Sequence, residues 1–222
     1  AGAAPVLRVD ATGRTLTEAA LAAEVPIAFE YNGISHAVML ATPADLDDFA
    51  LGFTLSEGLI DARADFYGME VHASEHGLTL AIDIAAAAFA RLKERRRTLA
   101  GRTGCGICGT ESLGQVLRPL PDLSAHPLRI APAALARAHA GLAGVQPLQH
   151  ATGAAHGAVW CTADGAIVCG REDVGRHNAL DKLIGALLRE GADTSEGFAL
   201  ITSRASVEMV QKSATAGIAA LA

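Results

Sequence analysis

The polar stretch Gly170-Arg-Glu-Asp-Val-Gly-Arg-His-Asn-Ala-Leu-Asp-Lys182 stands between a short apolar segment at 166–170 and a helical pattern over 178–190. The helical pattern has one apolar face, formed by Leu180, Leu183, Ile184, Leu187 and Leu188. Asn178 is expected to cap this helix, Asp181 to be the carboxylate of its first turn, and Gly191 to end it. A strand that leads through a polar corner into a helix is typical of α/β folds, so this stretch predicts an α/β second half.

The segments around this stretch agree with that class. Strands are predicted near 156–161 and 166–170, joined by the turn Ala163-Asp164-Gly165, and a short buried strand is predicted at 198–202. Helices are predicted at 132–143 and from a Ser203 cap to about Gly217. The only proline-dense stretch is 119–127, which places a domain boundary between a first domain, 1–126, and a second, 127–222.

The first half reads as a small α+β unit. Alternating runs on both sides of Asn32-Gly33 predict a β-hairpin over 26–40, because both turn residues tolerate positive φ. A helix follows over 43–57, with Thr42 as its cap, Pro43 in its first turn and Asp45 in a capping-box-like position. Further elements are expected at 69–72 and 78–84 (strands), and at 85–98 and 111–117 (helices).

Composition excludes several classes of protein. The chain has 222 residues, a net charge of −6 and 4% aromatic residues, whereas a nucleic-acid binder is usually basic with interleaved aromatics. The sequence contains no run of 18 apolar residues, so no membrane-spanning helix is predicted. The first residues lack the pattern of a signal peptide. Four cysteines with one C-x-x-C do not form a secreted disulfide framework. We therefore expect a cytoplasmic protein.

The glycine-rich segment Gly101-Arg-Thr-Gly-Cys-Gly-Ile-Cys-Gly109 is the sharpest chemical signal. Its glycines leave Cys105 and Cys108 open to a large partner, and Arg102 with free helix amides would stabilise a thiolate. A thiolate can accept the outer sulfur of a donor persulfide, and a second cysteine nearby can release that sulfur by closing a disulfide. These two cysteines are the predicted catalytic residues.

Three other interpretations of the cysteine pair compete with sulfur transfer, and one of them, a pair of inert loop cysteines, is disfavoured by the density of glycines. A C-x-x-C-G turn also occurs in zinc knuckles, but a structural zinc needs four ligands and no second C-x-x-C is present. His156, His177, Cys161 and Cys169 would complete such a site only through the fold, and no metal site is predicted. Thioredoxin-like thiol–disulfide exchange is the other interpretation, although glycines stand where bulky residues usually surround that motif.

Two corners of the second half are suited to an anion. At the first, free helix amides lie beside Arg171, Arg176 and Lys182, which can bind phosphate. The alternative at this corner is a purely structural role, in which a salt-bridged loop only caps the helix. Thr202-Ser203-Arg204 repeats the strand-to-helix arrangement, and crevices at strand ends are where α/β sheets hold ligands.

Together these motifs resemble the formate dehydrogenase accessory sulfurtransferase family, FdhD. The resemblance rests on the cysteine segment, the 170–182 stretch, Thr202-Ser-Arg204, and in the first half on Tyr31-Asn-Gly-Ile-Ser-His36 and the segment 48–58. It implies a sulfurtransferase that accepts persulfide sulfur on Cys105 from a cysteine desulfurase. The sulfur then passes to the molybdenum of the bis-guanine-dinucleotide cofactor before that cofactor enters formate dehydrogenase.

The resemblance also implies a fold, an assembly and a binding site. Family members pair a small N-terminal α+β part with a cytidine-deaminase-like α/β domain and form homodimers. No cofactor is covalently bound; the molybdenum cofactor is a substrate, and GDP should mimic it. The expected cofactor-binding residues are Arg171, Arg176, His177, Asn178, Lys182, Ser203 and Arg204.

Two expectations qualify this resemblance. Family members continue beyond the apolar segment Ile218-Ala-Ala-Leu-Ala222, so a C-terminal part that carries cofactor contacts is expected to be missing. Deaminase activity is not implied, because His156 lacks the Glu two residues later that zinc deaminases use. The main rival is a chaperone that binds the molybdenum cofactor without moving sulfur.

Overall fold

The computed structural model describes residues 2–99, 119–125 and 128–222. The predicted helix at 111–117 and both cysteines of the C-x-x-C segment lie outside these residues. In the first half the strands are β1 (Gly2–Asp10), β2 (Gly13–Leu21), β3 (Val25–Tyr31), β4 (Ile34–Ala41), β5 (Phe66–Ser74) and β6 (Gly77–Ile84). The helices there are α1 (Leu46–Ser56) and α2 (Ala86–Leu99).

The strands of the first half form two separate sheets. β1 and β2 make a two-stranded antiparallel ribbon, and the other four form a sheet in the order β4-β3-β6-β5. The hairpin between β3 and β4 is confirmed, since Asn32 and Gly33 form its turn with φ of 46° and 80°. Alternate residues of β3, namely Ile27, Phe29 and Tyr31, are fully buried against α1.

The second half contains a three-stranded antiparallel sheet with helices beside it. Its strands are β7 (His156–Thr162), β8 (Ile167–Asp173) and β9 (Gly197–Ile201), in the order β8-β7-β9. Its helices are α3 (Pro132–Gly141), α4 (Pro147–Thr152), α5 (Arg176–Glu190) and α6 (Val207–Thr215). The mixed α/β class predicted from the sequence is thereby confirmed.

Helices α1 and α5 bring the two halves together by close backbone contact. A Cβ atom at Gly52 would overlap the carbonyl oxygen of Asp181, and one at Gly185 would overlap that of Asp48. Glycine is therefore required at both crossing positions. Buried residues of the two predicted domains, among them Phe49 and Leu180, belong to one hydrophobic cluster. The division at 126/127 stays a prediction.

The capping residues predicted for α1 and α6 are wrong. Helix α1 begins at Leu46 and is preceded by Asp45, which has φ of 52° and makes no capping side-chain bond. Thr42 does not cap it, because its polar groups bind residues of the second half. Helix α6 begins at Val207 after Ser206, so Ser203 is not its cap. Gly191 does end α5, in the left-handed conformation.

Candidate functional site

The end of β8 sends three consecutive charged residues to three different elements. Arg171 forms a 2.8 Å ion pair with Asp48 of α1. Glu172 accepts the backbone N–H groups of Leu148 and Gln149, both at 2.7 Å, and so caps the start of α4. Strand β8 thereby reaches Asp173, three residues beyond its predicted end, because these polar side chains all have partners within the protein.

The third of these residues, Asp173, is the centre of a buried polar cluster. One carboxylate oxygen accepts the Thr42 N–H at 2.9 Å and the Lys182 ammonium at 2.7 Å. The other oxygen accepts the Gly175 N–H at 2.8 Å and the Asn178 amide at 3.0 Å. Asp173 and Lys182 are fully buried. A buried ion pair with this many hydrogen bonds holds its elements in one arrangement.

Asn178 and Lys182 also tie this corner to the first half of the chain. Asn178 donates to the carbonyl of Leu40, and Lys182 donates to the carbonyl of Thr42, each at 2.9 Å. The predicted capping role of Asn178 is wrong, because α5 begins at Arg176 after Gly175, and Asn178 lies inside its first turn. The Gly175 N–H at this corner is not free for a ligand, because it donates to the Asp173 carboxylate.

A second buried ionic cluster lies farther along α5. Asp181 accepts Ser56 Oγ at 2.5 Å and the Lys212 ammonium at 2.9 Å, and Lys212 also pairs with Glu57 at 2.8 Å. Burial opposes the charge on Lys212, but the Asp181 and Glu57 carboxylates outweigh it and raise the pKa of the ammonium. Asp181 is therefore not the first-turn carboxylate predicted from the sequence, since it joins α1 and α6 to α5 through these contacts.

The more accessible part of the first corner consists of Arg176 and His177. The His177 ring lies 3.1 Å from Glu208 of α6, so it connects the first turns of two helices. Burial and the neighbouring Arg176 lower the pKa of His177, which favours the neutral ring. Within the part of the chain that the structure describes, the Nε of Arg176 is buried without a hydrogen-bond partner.

A cavity of about 450 Å³ opens beside the second corner. Its lining comes from the α4 region and the strand ends: Gln146, Gln149, Gly153, Ala154, Ala155, His156 and Thr202. Gln146 is 7% exposed, and among the described residues its amide nitrogen has no acceptor. Ser203 and Arg204 follow directly, and Arg204 is exposed. The cavity thus contains a polar group without a hydrogen-bond partner among the described residues, which is a feature of ligand sites.

The described cysteines are unsuited to sulfur transfer. Cys161 is fully buried, and burial raises its pKa to about 11. Burial also raises the pKa of Cys169. Because the thiolate is the reactive form, both are poor nucleophiles. Of the described residues, no three or more His, Cys, Asp or Glu side chains lie together so as to hold a metal ion.

Sequence reasoning found the two corners but missed several residues that shape them. The sequence predicts Thr42 as a helix cap and assigns no individual role to Asp48 or Lys212, although each binds a charged partner from another element. Gln146 stands before Pro147 without any local motif. The one sequence signal for such a residue is a charged side chain at a helix position with apolar neighbours. If that side chain is buried, it requires a partner.

Comparison with known proteins places this geometry in a family. The model of the FdhD/NarQ family matches residues 22–222. The chain is 58% identical over 202 residues to the sulfur carrier protein FdhD of Variovorax paradoxus, covering 91% of this chain and 72% of that protein. The sulfur carrier protein FdhD of Bordetella petrii is 50% identical over 222 residues, covering 99% and 79% respectively.

A solved structure has the same fold. It is described as that of a formate dehydrogenase accessory protein from Desulfotalea psychrophila, with a TM-score of 0.70 and 22% identity over 99% of this chain and 81% of that one. The described part of the chain has no helix both long and apolar enough to span a membrane.

Proposed function

Because this chain belongs to the FdhD/NarQ family, we propose that it is a sulfurtransferase that supplies sulfur to the molybdenum cofactor of formate dehydrogenase. The observation that carries this proposal is the match of 50–58% identity with proteins named sulfur carrier protein FdhD. The Cys105–Cys108 pair is present to carry the sulfur. The proposed place of action is the cytoplasm, where thiols stay reduced.

The proposed chemistry takes place on the cysteine pair. The Cys105 thiolate attacks the outer sulfur of a persulfide on a cysteine desulfurase, and the S–S bond of the donor breaks to leave the desulfurase thiolate. Cys105 then carries the sulfur as Cys–S–SH. Attack of the Cys108 thiolate on the Cys105 sulfur closes a disulfide and expels hydrosulfide. The molybdenum of the cofactor is the substrate that receives this sulfur. A cellular dithiol must then reduce the disulfide for the next cycle.

The cofactor is proposed to bind along the two corners. Arg176, His177 and Ser203 are partly exposed and Arg204 is exposed, and cations beside helix amides suit phosphates. The cavity beside Thr202 has about the volume of a small-ligand site and a free amide donor in Gln146, which suits a guanine base. Of the residues expected from the sequence to bind cofactor, Arg171, Asn178 and Lys182 hold the corner in place through internal partners.

The decisive measurement is the intact mass of the protein after incubation with a cysteine desulfurase and cysteine. We expect one added sulfur that dithiothreitol removes, and no adduct on Cys105→Ala. Cys161→Ala is the matched control and should load normally, because that thiol is buried. Cys108→Ala should load but release sulfur more slowly.

A cofactor chaperone without sulfur transfer would give the opposite result. It would bind GDP yet gain no sulfur, or would still activate formate dehydrogenase as Cys105→Ala. Either outcome would overturn the sulfurtransferase assignment.

A further inference from the structure

The hairpin turn Asn32-Gly33 contains a dipeptide that can react with itself. Asparagine is one of the chemically labile residues, and a following glycine has no side chain to hinder attack on the Asn amide. Asn32 and Gly33 are both exposed, and the space beside the Gly33 Cα is open. The chain's only other asparagine, Asn178, is buried and precedes Ala179. Of the two asparagines, only Asn32 is therefore followed by glycine and open to water.

In the folded protein, hydrogen bonds hold Asn32 against the end of β6. Its side-chain amide donates to the carbonyl of Ile84 at 3.1 Å, and its amide oxygen accepts the Ile84 N–H at 2.9 Å. The Asn32 backbone N–H also donates to the carbonyl of Ile82 at 2.9 Å. Since β3 and β6 are parallel neighbours up to the pair Tyr31–Ile82, the Asn32 side chain continues their ladder beyond the end of β3. We call the two side-chain bonds to Ile84 the Asn32 clamp.

We propose that Asn32 is a site of spontaneous deamidation, which the Asn32 clamp closes and local opening of the turn exposes. In this reaction the Gly33 amide nitrogen loses its proton to solvent base and attacks the Cγ atom of Asn32. The bond between Cγ and the side-chain nitrogen breaks, and the nitrogen leaves as ammonia with a proton from solvent. The cyclic succinimide that results takes up one water molecule and opens to aspartate or isoaspartate.

The Asn32 clamp opposes this reaction because it holds the side-chain amide on the neighbouring strand. The Cγ atom must approach the nitrogen of Gly33, but both polar atoms of the amide are bonded to Ile84. The side chain must therefore release Ile84 before it can turn toward Gly33. When opening and reclosing are faster than the chemistry, the deamidation rate follows the population of the open form.

Deamidation would also prevent the turn from closing again in the same way. An aspartate at position 32 keeps an acceptor for the Ile84 N–H but loses the donor to the Ile84 carbonyl, so two oxygens face each other. Isoaspartate lengthens the main chain inside a hairpin turn whose length sets the register of β3 against β4. The modified residue is therefore a permanent record that the turn has opened.

The first test compares deamidation of the complete chain when folded and in urea, in the same mildly alkaline buffer. Mass spectrometry of the peptide that contains Asn32 should show conversion of amide to acid. The conversion should be roughly tenfold or more slower in the folded protein, because both bonds of the Asn32 clamp must break first. Asn178 is the internal control and should react slowly in both, because the Ala179 side chain hinders attack. Equal rates at Asn32 would overturn the protective role, and no reaction in urea would overturn the site.

A matched pair of variants separates local opening from global unfolding. Ile84 and Ile27 are both buried, but Ile84 carries the backbone groups of the Asn32 clamp, whereas Ile27 lies near the other end of β3. Ile84→Ala should speed deamidation of the folded protein more than Ile27→Ala does, and neither should change the rate in urea. Equal acceleration would show that global unfolding controls the reaction and would overturn local opening. If either alanine variant does not fold, Ile84→Val and Ile27→Val give the same comparison.

The effect on the fold is measured with a variant that mimics one product. Asn32→Asp should unfold at a lower urea concentration than the unsubstituted chain, because its carboxylate opposes the Ile84 carbonyl. Asn32→Gly keeps a residue suited to the turn, brings no charge and should lose less. An Asn32→Asp protein as stable as the unsubstituted chain would contradict the permanent effect on the turn. These measurements do not involve Cys105, so their outcome leaves the proposed function in place.

Discussion

The two corners of the second half share a strand-to-helix arrangement but differ in the groups that contact their polar residues. At the first, where β8 leads into α5, the Asp173 carboxylate accepts the Thr42 and Gly175 N–H groups, the Asn178 amide and the Lys182 ammonium. At the second, where β9 leads toward α6, Thr202 lines a cavity that also contains the Gln146 amide nitrogen, which has no hydrogen-bond partner among the described residues.

Donors that converge on one point therefore do not by themselves mark an external ligand. At the first corner a carboxylate of the same chain takes the place that an anion would occupy, so its donors serve stability. At the second corner the Glu208 carboxylate contacts Ser206 and His177, whereas Arg204 is exposed and available to a ligand. The two corners thus differ in how many of their polar groups have partners within the protein, and each can be tested by substitution.

The largest effect is expected at the first corner. Lys182→Ala leaves the Asp173 carboxylate buried without its charge partner and should lower the free energy of unfolding by about 3–5 kcal/mol in urea denaturation. Arg91→Ala is the control, because it removes an exposed 2.7 Å ion pair with Asp61 and should cost less than about 1 kcal/mol. Equal losses would mean that Lys182 is not committed to Asp173.

A smaller effect is expected at the second corner, and on binding instead of stability. Arg204→Ala should weaken GDP binding roughly tenfold or more, since a charge-assisted contact to phosphate is lost, while the thermal unfolding midpoint should stay the same. Arg137→Ala removes another exposed arginine, paired with Asp164, and serves as the control in calorimetry. Indifference of GDP binding to Arg204→Ala would remove the phosphate site from this corner.

The smallest effect concerns the contact between the corners, His177 with Glu208. Since burial lowers the pKa of His177 in the folded protein, the unfolded chain binds the proton more tightly. Its contribution is fully present above the unfolded pKa of about 6.5 and is lost as pH falls through the folded pKa. The loss should be on the order of 1 kcal/mol or less.

This pH dependence is measured by denaturation of His177→Gln beside the unsubstituted chain. The difference between their free energies of unfolding should shrink on acidification below pH of about 6.5. His76→Gln, at a fully exposed turn, should keep the original slope. An unchanged slope in His177→Gln would show that another group controls the acid limb.

The sequence by itself determined the local structure and the family. The turn at Asn32-Gly33, the apolar face of α5 and its stop at Gly191 follow from φ preferences and periodicity within a few residues. The motifs around Cys105, 170–182 and 202–204 sufficed for the resemblance that the family match confirms.

Only the tertiary structure decided how the polar residues are used. Thr42, Asn178, Asp181 and Ser203 all have the residue types of helix caps, and none of them caps a helix. Thr42 and Asp173 are 131 positions apart, and Ser56 and Asp181 are 125 apart. Near solvent, a polar side chain without another partner can bond to the nearby backbone and so cap a helix. Where the packing of α1 against α5 buries a polar side chain, it needs a partner from a distant part of the chain. No short window of sequence contains both members of such a pair.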